Sequence, residues 1–320
     1  MRKQLVILGP TATGKTDLAL ILAKKYGGEL VACDSRQVYR GLDIGTGKAP
    51  SGNFQVSISN SQWIIDGVPI YMYDVVDPRQ RYSVSDYVAQ STKVIEGIIN
   101  RGNLPIIVGG TGLYLKALLE GLPNLAIPVD PDLRSKLEKL TLDELQIKLQ
   151  KLDPQKWEGL NNSDRNNSRR IIRSIELINM NPYIQQQSQN SNLKTQKYNT
   201  LKIGLTAPRE ILNDRIDQRL LSRIDQGLIE EGERLASQGV PFQRMRQLGL
   251  EYGVLADFLE GEISKDLFLK DLKVKIHQYA KRQMTWFKKE KNVTWFDVTT
   301  PNWLTLVESR VQSWYYSKDE

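Results

Sequence analysis

Residues 5–16 read Leu-Val-Ile-Leu-Gly-Pro-Thr-Ala-Thr-Gly-Lys-Thr, and this stretch decides the fold. The apolar run Leu5–Leu8 leads directly into Gly9-x-x-x-x-Gly14-Lys15-Thr16, which fits the phosphate-binding pattern G-x-x-x-x-G-K-[ST]. Apolar residues at helical spacing follow, as far as Tyr26, and then two glycines stop the helix. The order strand, glycine-containing loop, helix therefore predicts a P-loop.

A P-loop turns backbone N–H groups towards an anion at a helix N-terminus, where the helix dipole also attracts negative charge. Lys15 adds a positive charge for the phosphates, and the Thr16 hydroxyl is a suitable ligand for Mg²⁺. The motif predicts a di- or triphosphate site and does not say which of the two it binds. The predicted phosphate-binding residues of this loop are Gly9, Thr11, Ala12, Thr13, Gly14, Lys15 and Thr16.

Beyond the loop, strands and helices continue to alternate. Leu30–Cys33 and Leu104–Val108 read as buried strands, and the apolar residues of 84–99 recur at helical spacing. Such alternation predicts an α/β fold with a parallel sheet, in which ligands bind at the carboxyl ends of the strands.

From about Pro123 the pattern changes. Residues 130–180 show only helical patterns, and 185–199 form a polar linker rich in Asn, Gln and Ser. The elements predicted after the linker are a strand at Lys202–Leu205, helices at about 208–237, 244–260 and 264–289, a strand at Val293–Val298 and a helix near 302–315. We predict a P-loop NTPase-like α/β core with C-terminal helices, 1–122 and 200–320, interrupted by a helical insertion domain, 123–199.

The composition is that of a soluble globular protein, with 40% hydrophobic and 25% charged residues. No apolar run approaches the ~20 residues that span a bilayer, and the first one is too short for a signal peptide. We therefore expect a cytoplasmic protein with no membrane contact. A single cysteine, Cys33, and a single histidine, His277, exclude an internal disulfide and a Cys/His-rich metal site. A net charge of +7 favours a polyanionic partner such as nucleic acid.

The chemistry is expected from polar residues that follow the strands. Leu104–Val108 ends in a glycine-rich turn containing Thr111, and not in the acid that supports Mg²⁺ in ATPase motors and GTPases. Only Leu30–Cys33 ends in an acid, Asp34, which suits a small-molecule transferase or kinase in which Asp34 accepts a proton from the nucleophile. Two plainer interpretations stay open: Asp34 as a turn former or partner of Arg36, and Thr111 as a helix N-cap.

A ridge of arginines is predicted on one side of a helix in the insertion. At ~100° per residue, Arg169, Arg170 and Arg173 point away from the isoleucines of the same helix. Arginines that are not interleaved with acids can bind phosphates through two hydrogen bonds each. Such a ridge is nevertheless often only a solvated surface. Trp286 and Phe287 also lie beside cations, and we assign both aromatic rings to the core.

Taken together, these segments resemble the tRNA dimethylallyltransferase (tRNA isopentenyltransferase) family, in its bacterial type. The motifs that carry the resemblance are Gly-Pro-Thr-Ala-Thr-Gly-Lys-Thr (9–16), Asp-Ser-Arg-Gln-Val-Tyr-Arg-Gly-Leu-Asp-Ile-Gly-Thr (34–46), Gly-Gly-Thr-Gly-Leu-Tyr (109–114), Asn-Ser-Arg-Arg-Ile-Ile-Arg-Ser-Ile-Glu (167–176), Arg-Ile-x-x-Arg (215–219) and Lys-Arg-Gln-Met-Thr-Trp-Phe (281–287). They span nearly the whole chain, and the second and last are more specific than a P-loop alone.

The resemblance implies transfer of a dimethylallyl group from dimethylallyl diphosphate to N6 of adenosine 37, in tRNAs that read codons beginning with U. It implies that the P-loop, Arg215 and Arg219 bind the diphosphate, with Mg²⁺ between Thr16 and the donor. Asp34 would deprotonate the adenine amine, and Thr111, the second catalytic residue, would contact the diphosphate and the tRNA. The implied tRNA contacts are Asp34, Ser35, Arg36, Gln37, Thr111, Arg169, Arg170 and Arg173, the last three on the anticodon stem-loop. We expect a monomer.

Three alternatives remain. An adenylate isopentenyltransferase would share the fold but would need no basic insertion, and a P-loop small-molecule kinase would bind ATP instead. A non-catalytic RNA-binding protein would not need an intact Lys15-Thr16 pair or Asp34. The chain also departs from the family pattern at Ile70-Tyr71, where a His pair is usual, and at Glu251-Tyr252-Gly253, where Gly-Tyr-Lys/Arg is common.

Overall fold

The computed structural model describes residues 2–49, 55–59, 62–125, 127–180 and 198–317. These residues form two compact units, one within 1–120 and 196–320 and the other within 121–195. The insertion thus begins at Gly121, two residues before the predicted position. The predicted polar linker 185–199 lies outside the described residues except for its last two positions.

The larger unit is built on a single sheet. Its strands are β1 (Lys3–Leu8), β2 (Gly28–Ala32), β3 (Val56–Ser59), β4 (Gln62–Ile65), β5 (Val68–Tyr71), β6 (Leu104–Gly109), β7 (Asn199–Thr206) and β8 (Val293–Asp297). Their order across the sheet is β3-β4-β5-β2-β6-β1-β7-β8. The six strands from β5 to β8 in this order are parallel, which confirms the predicted α/β fold.

Helices flank the sheet or form the insertion. Those before and within the insertion are α1 (Lys15–Tyr26), α2 (Val84–Asn100), α3 (Gly112–Glu120), α4 (Pro131–Leu137), α5 (Leu142–Leu152), α6 (Pro154–Glu158), α7 (Asn162–Arg165) and α8 (Ser168–Asn179). Those after it are α9 (Arg209–Asp225), α10 (Leu228–Ser237), α11 (Phe242–Leu248), α12 (Leu250–Leu259), α13 (Lys265–Phe287) and α14 (Trp303–Tyr316). No helix within the described ranges is long and apolar enough to cross a membrane.

The central strands are mostly apolar because both faces of the sheet are covered. Leu5, Ile7, Leu30 and Ile106 are fully buried, as expected for parallel strands between two layers of helices. Where β1 ends, Gly9 has φ 144° and a Cβ there would collide with the backbone carbonyl of β7. Only glycine therefore lets the P-loop leave the sheet at this point.

The insertion has a separate small core. Its fully buried members include Leu145 and Leu149 of α5 and Ile171 and Ile175 of α8, the apolar side that helical spacing predicts for α8. Thr141 and Glu144 form a reciprocal capping box that starts α5. This unit therefore has its own hydrophobic core and its own helix caps.

Four structural predictions need correction. The helix predicted at 208–237 breaks at Gly227, where φ is 99°, and the one at 244–260 breaks at Gly249, where φ is 78°. These backbone angles lie outside the helical region and end each helix. The short strands β3, β4 and β5, of four residues each, were not predicted. Finally, Trp286 is 37% exposed, and only Phe287 belongs to the core.

Candidate active site

A pocket opens at the carboxyl ends of β1, β2 and β6, where a parallel α/β sheet is expected to bind its ligand. The space between its walls and across its open mouth is about 640 Å³. Its lining residues are Thr11, Lys15, Thr16, Asp34, Arg36, Gln37, Thr46, Gly47, Tyr73, Val108, Gly109, Gly110, Arg219, Arg223, Glu251, Ile276, Tyr279 and Gln283.

The P-loop has the backbone geometry of an anion cradle. Ala12 and Gly14 adopt positive φ values of 65° and 77°. The Thr13 hydroxyl donates to the carbonyl oxygen of Pro10 at 2.9 Å, and Lys15 Nζ donates to the same oxygen at 2.6 Å. Within the described part of the chain, no side chain caps the N-terminus of α1. Its first N–H groups are thus left for a ligand, and an anion satisfies them best.

Cations crowd this end of the pocket. Burial, together with the nearby Arg219 guanidinium, lowers the pKa of Lys15 to about 7, and Asp34 offsets only part of this. The neighbouring charge of Arg223, together with burial, lowers the pKa of Arg219 to about 10. Burial and mutual repulsion therefore disfavour the charges of these adjacent cations in the free site. A multiply charged anion would stabilise them.

Asp34 lines the same pocket and lies two residues after the end of β2. Its Oδ1 accepts the backbone N–H of Arg36 at 2.9 Å and lies 3.8 Å from Arg36 Nε. Asp34 therefore does form a turn and does lie beside the Arg36 guanidinium, as the two plainer interpretations held. Both contacts use the same carboxylate oxygen. Among the described residues Oδ2 has no hydrogen-bond partner, and the side chain lines the pocket. One oxygen fixes the carboxylate while the other is available to a ligand.

Thr111 connects the loops that follow β2 and β6. Its Oγ1 accepts the backbone N–H of Ser35 at 3.0 Å, and its own N–H donates to the carbonyl of Cys33 at 3.1 Å. The hydroxyl thus bonds across to the Asp34 loop, while the Thr111 carbonyl accepts the N–H of Leu115 in α3 at 3.1 Å. The same hydroxyl donates to Ser35 Oγ at 3.4 Å.

A buried chain of charges borders the pocket. Glu251, only 3% exposed, accepts from Arg36 with one carboxylate oxygen and from Arg223 Nη1 at 3.2 Å with the other. Arg223 also donates to the carbonyl of Gly45 at 2.8 Å, and Arg36 lies 5.1 Å from the centre of the Tyr279 ring. Buried charges are tolerated when they are paired in this way. Glu251 therefore fixes two arginines beside the site.

A second buried carboxylate holds the loop that carries Thr46 and Gly47. Glu231 accepts three successive backbone N–H groups, from Asp43, Ile44 and Gly45, at 2.7–3.0 Å. It also accepts the hydroxyl of the fully buried Tyr252 at 2.6 Å. Backbone N–H groups converging on one carboxylate order this loop against α10 and α12.

Comparison with known proteins identifies the family. A family model described as IPP transferase matches residues 37–290, and a second, described as isopentenyl transferase, matches residues 2–70. This chain belongs to the IPP transferase family. The resemblance drawn from the sequence motifs is confirmed.

Individual relatives agree with the family models. A tRNA dimethylallyltransferase of Halalkalibacterium halodurans is 38% identical over 93% of this chain and 92% of its own length. One of Thermomicrobium roseum is 37% identical over 97% of this chain and 91% of its own length. The structure of a full-length tRNA isopentenylpyrophosphate transferase from Bacillus halodurans is 34% identical, covers 98% of this chain and 97% of its own, and superposes with a TM-score of 0.68.

A structure titled as a eukaryotic dimethylallyltransferase acting on tRNA is also similar. It is 26% identical, with a TM-score of 0.76 over 98% of this chain and 78% of its own. The P-loop NTPase-like fold of this IPP transferase is thereby established.

The pocket of this IPP transferase brings together many of the residues predicted from sequence. Those that line it are Thr11, Lys15, Thr16, Asp34, Arg36, Gln37 and Arg219. Gly9, Ala12, Thr13 and Gly14 shape the P-loop behind it, and Ser35 and Thr111 bond to each other beside it. Arg215 does not line the pocket: it lies one turn, about 5.4 Å, before Arg219 on α9. Arg223, one turn after Arg219, lines it instead.

Sequence reasoning missed Arg223, Glu251, Tyr279 and Gln283, which all lie on helices after the insertion. A signal for two of them was present. Glu251 lies in the otherwise apolar run Leu250–Leu255, and Gln283 lies at a core position of α13. A polar side chain at an apolar position of a buried helix face indicates a specific partner.

The arginine ridge of α8 divides into two kinds of residue. Arg169 and Arg170 are exposed, and Arg170 pairs with Asp164. Arg173 instead donates to the carbonyl oxygens of Asn124, Ile127 and Pro128 at 2.8–3.4 Å, and also reaches Glu176. These contacts lie within the insertion and occupy its guanidinium. They give Arg173 a structural role within the insertion, and its predicted tRNA contact stays a prediction.

Proposed function

We propose that this chain transfers the dimethylallyl group of dimethylallyl diphosphate to N6 of adenosine 37 in tRNA, giving N6-dimethylallyladenosine. The observation that carries the proposal is that the P-loop and Asp34 line one pocket. A diphosphate donor and a proton acceptor for the acceptor base would therefore meet at the same place. The names of the relatives, tRNA dimethylallyltransferases, support this assignment.

The reaction follows from these positions. The N6 lone pair attacks C1 of the dimethylallyl group, the C1–O bond breaks, and its electron pair leaves with the diphosphate. The proton of N6 passes to the Asp34 carboxylate. Lys15 and Arg219, both at the pocket wall, neutralise the charge that develops on the leaving diphosphate. Each of these residues thus has a separate part in one displacement.

The oxygen ligands present also fit Mg²⁺. The Thr16 hydroxyl lies at the N-terminus of α1, lines the pocket, and would hold the ion together with diphosphate oxygens. A bound Mg²⁺ would add charge stabilisation for the departing diphosphate. A hard cation with an alcohol and phosphate oxygens around it is a normal arrangement for this metal.

The tRNA contacts are proposed on two surfaces. Residues 34–37 and Thr111 would hold the acceptor nucleotide, which has to be splayed from its stack to reach Asp34. Arg169 and Arg170 of the insertion would contact phosphates of the anticodon stem-loop. We place the enzyme in the cytoplasm, where its tRNA substrate is, and propose that it acts as a monomer.

Product analysis tests the function. The purified protein, unmodified tRNA, Mg²⁺ and dimethylallyl diphosphate should yield N6-dimethylallyladenosine at position 37, detected by mass spectrometry of digested nucleosides. Parallel reactions replace the tRNA with AMP, or the donor with ATP. Prenylated AMP without prenylated tRNA would support cytokinin synthesis, and phosphate transfer from ATP would support a kinase.

Arg169→Ala should weaken tRNA binding through the loss of a phosphate contact. We expect the slope of log Kd against log salt concentration to fall by about one unit, with donor binding unchanged. Fluorescence anisotropy with labelled anticodon stem-loop over a salt series measures this. An unchanged slope would mean that this side of α8 is only solvated.

Arg173→Ala is the companion variant and should behave differently. Losing its bonds to three carbonyls and Glu176 should cost about 1–3 kcal/mol of insertion stability, since charged hydrogen bonds are worth roughly that. Thermal unfolding should show the loss, and the amide hydrogens of Asn124, Leu125 and Ile127 should exchange faster. If Arg173→Ala instead changes the salt slope without changing stability, Arg173 contacts a tRNA phosphate, as the sequence predicted.

A further inference from the structure

Gln283 connects two loops of the pocket with a single side chain. It lies on α13 and is 5% exposed. Its Oε1 accepts the backbone N–H of Thr11 in the P-loop at 2.9 Å, and its Nε2 donates to the carbonyl oxygen of Gly110 at 2.9 Å. These two partners fix the orientation of the amide, because the opposite rotamer would place donor against donor and acceptor against acceptor.

The surroundings leave little room for this bridge to shift. A Cβ on Gly110 would collide with Gln283 Nε2, and a Cβ on Gly112 would collide with the indole of Trp286. Gln283 and Trp286 are neighbours on one face of α13, three residues apart. The helix thus contacts the glycine-rich loop at two successive points, at each of which an added Cβ would meet a side chain of α13.

The bridge leads on to Asp34 in two further steps. Gly110 precedes Thr111, whose hydroxyl accepts the N–H of Ser35, the residue next to Asp34. On its other side, Gln283 holds the loop that contains Lys15. One carboxamide therefore lies between the loop that carries the cations and the loop that leads to the carboxylate.

We infer that Gln283 is a positioning residue, which sets the distance between the P-loop and the Gly110–Thr111 loop. In the proposed function, on which this inference rests, the P-loop holds the donor and the Asp34 side holds the acceptor amine. Alignment of the two reacting atoms then depends on the spacing of the loops. A misplacement of about 1 Å can lower a rate ~10²-fold, so this spacing governs the transfer step more than binding.

Gln283→Met tests the inference, because Met has nearly the same volume and makes neither hydrogen bond. The single-turnover rate with both substrates saturating should fall by about 10–100-fold. The dissociation constants of dimethylallyl diphosphate and tRNA should stay within about threefold, because Lys15 and the other P-loop N–H groups remain. The Thr11 amide should also exchange its hydrogen faster. Gln278→Met, at an exposed position of the same helix, is the matched control and should match the native rate.

A purely structural glutamine would give another result. Gln283→Met would then lower the unfolding temperature while the folded protein kept the native single-turnover rate, and this would overturn the inference. Should the Met variant not fold, Gln283→Asn is the second test, since its shorter amide cannot reach both loops. A native rate in Gln283→Asn would also overturn it. If the native protein itself prenylates no tRNA, the proposed function fails, and this outcome is distinct from a failure of the Gln283 variants.

Discussion

Asp34→Asn is expected to lower turnover about 10²–10⁴-fold, the usual contribution of a positioned general base. An exocyclic adenine amine is a weak nucleophile because its lone pair is delocalised into the ring. A carboxylate that aligns the amine and takes its proton as the C–N bond forms removes this handicap. Asn keeps the size of Asp34 and one acceptor oxygen for the N–H of Arg36, which Asp34 binds at 2.9 Å. The fold and both substrate affinities should therefore change little, and rapid-quench single turnover measures the effect.

Asp77→Asn is a matched control for this variant. Asp77 Oδ1 also accepts the backbone N–H of the residue two positions later, Arg79, at 2.8 Å, and pairs with its guanidinium. Asp77 repeats the local contacts of Asp34 but does not line the pocket. It should turn over at the native rate. Equal rates for both variants would reduce Asp34 to a turn former, and a loss of tRNA affinity with intact chemistry would make it a recognition residue.

The parts of this molecule that sequence predicts well are those set by neighbouring residues. The apolar run Leu5–Leu8 and the loop after it determine a strand, a turn and a helix start within 16 residues, so both the fold and Lys15 could be located. Asp34 could be predicted for the same reason, since it follows a buried strand. Local pattern is enough where strand ends meet at one edge of a parallel sheet.

The parts that sequence did not predict depend on contacts between distant segments. Glu251 and Arg223 are 28 residues apart and on different helices, and only folding pairs them. Gln283 lies 272 residues from Thr11. The helical pattern of α13 places Ile276, Ala280, Gln283 and Phe287 on one buried face, but it does not reveal which loop that face covers. Arg215 and Arg219 illustrate another case, in which the motif was recognised but, of these two residues, only Arg219 lines the pocket.

Lys15→Met is expected to lower the single-turnover rate about 10²–10³-fold, because removing one group that stabilises developing transition-state charge usually costs that much. Lys15 lines the pocket and donates to the carbonyl of Pro10 at 2.6 Å, so its ammonium is held within the P-loop. Donor affinity should fall as well, by about 10–100-fold for a lost hydrogen bond between charged groups. Calorimetric titration with dimethylallyl diphosphate measures this affinity. Affinity for tRNA should stay close to native, since other residues make the proposed tRNA contacts.

Lys15 should also make donor binding depend on pH. In the free protein burial and Arg219 lower its pKa to about 7, and a bound diphosphate would raise this pKa again. A group whose pKa rises on binding favours the complex at low pH, so affinity should be full below pH 7. Above pH 7 it should weaken by up to about tenfold per unit, as the free lysine loses its proton and binding must restore it. Titrations at pH 8 in buffers of different ionisation enthalpy should show proton uptake. Lys15→Met should abolish both the proton uptake and the pH dependence of affinity.

Two results would contradict this prediction. Equal pH dependence in the native protein and Lys15→Met would assign the titration to another group. A pH-independent native affinity would show that Lys15 is already charged in the free site.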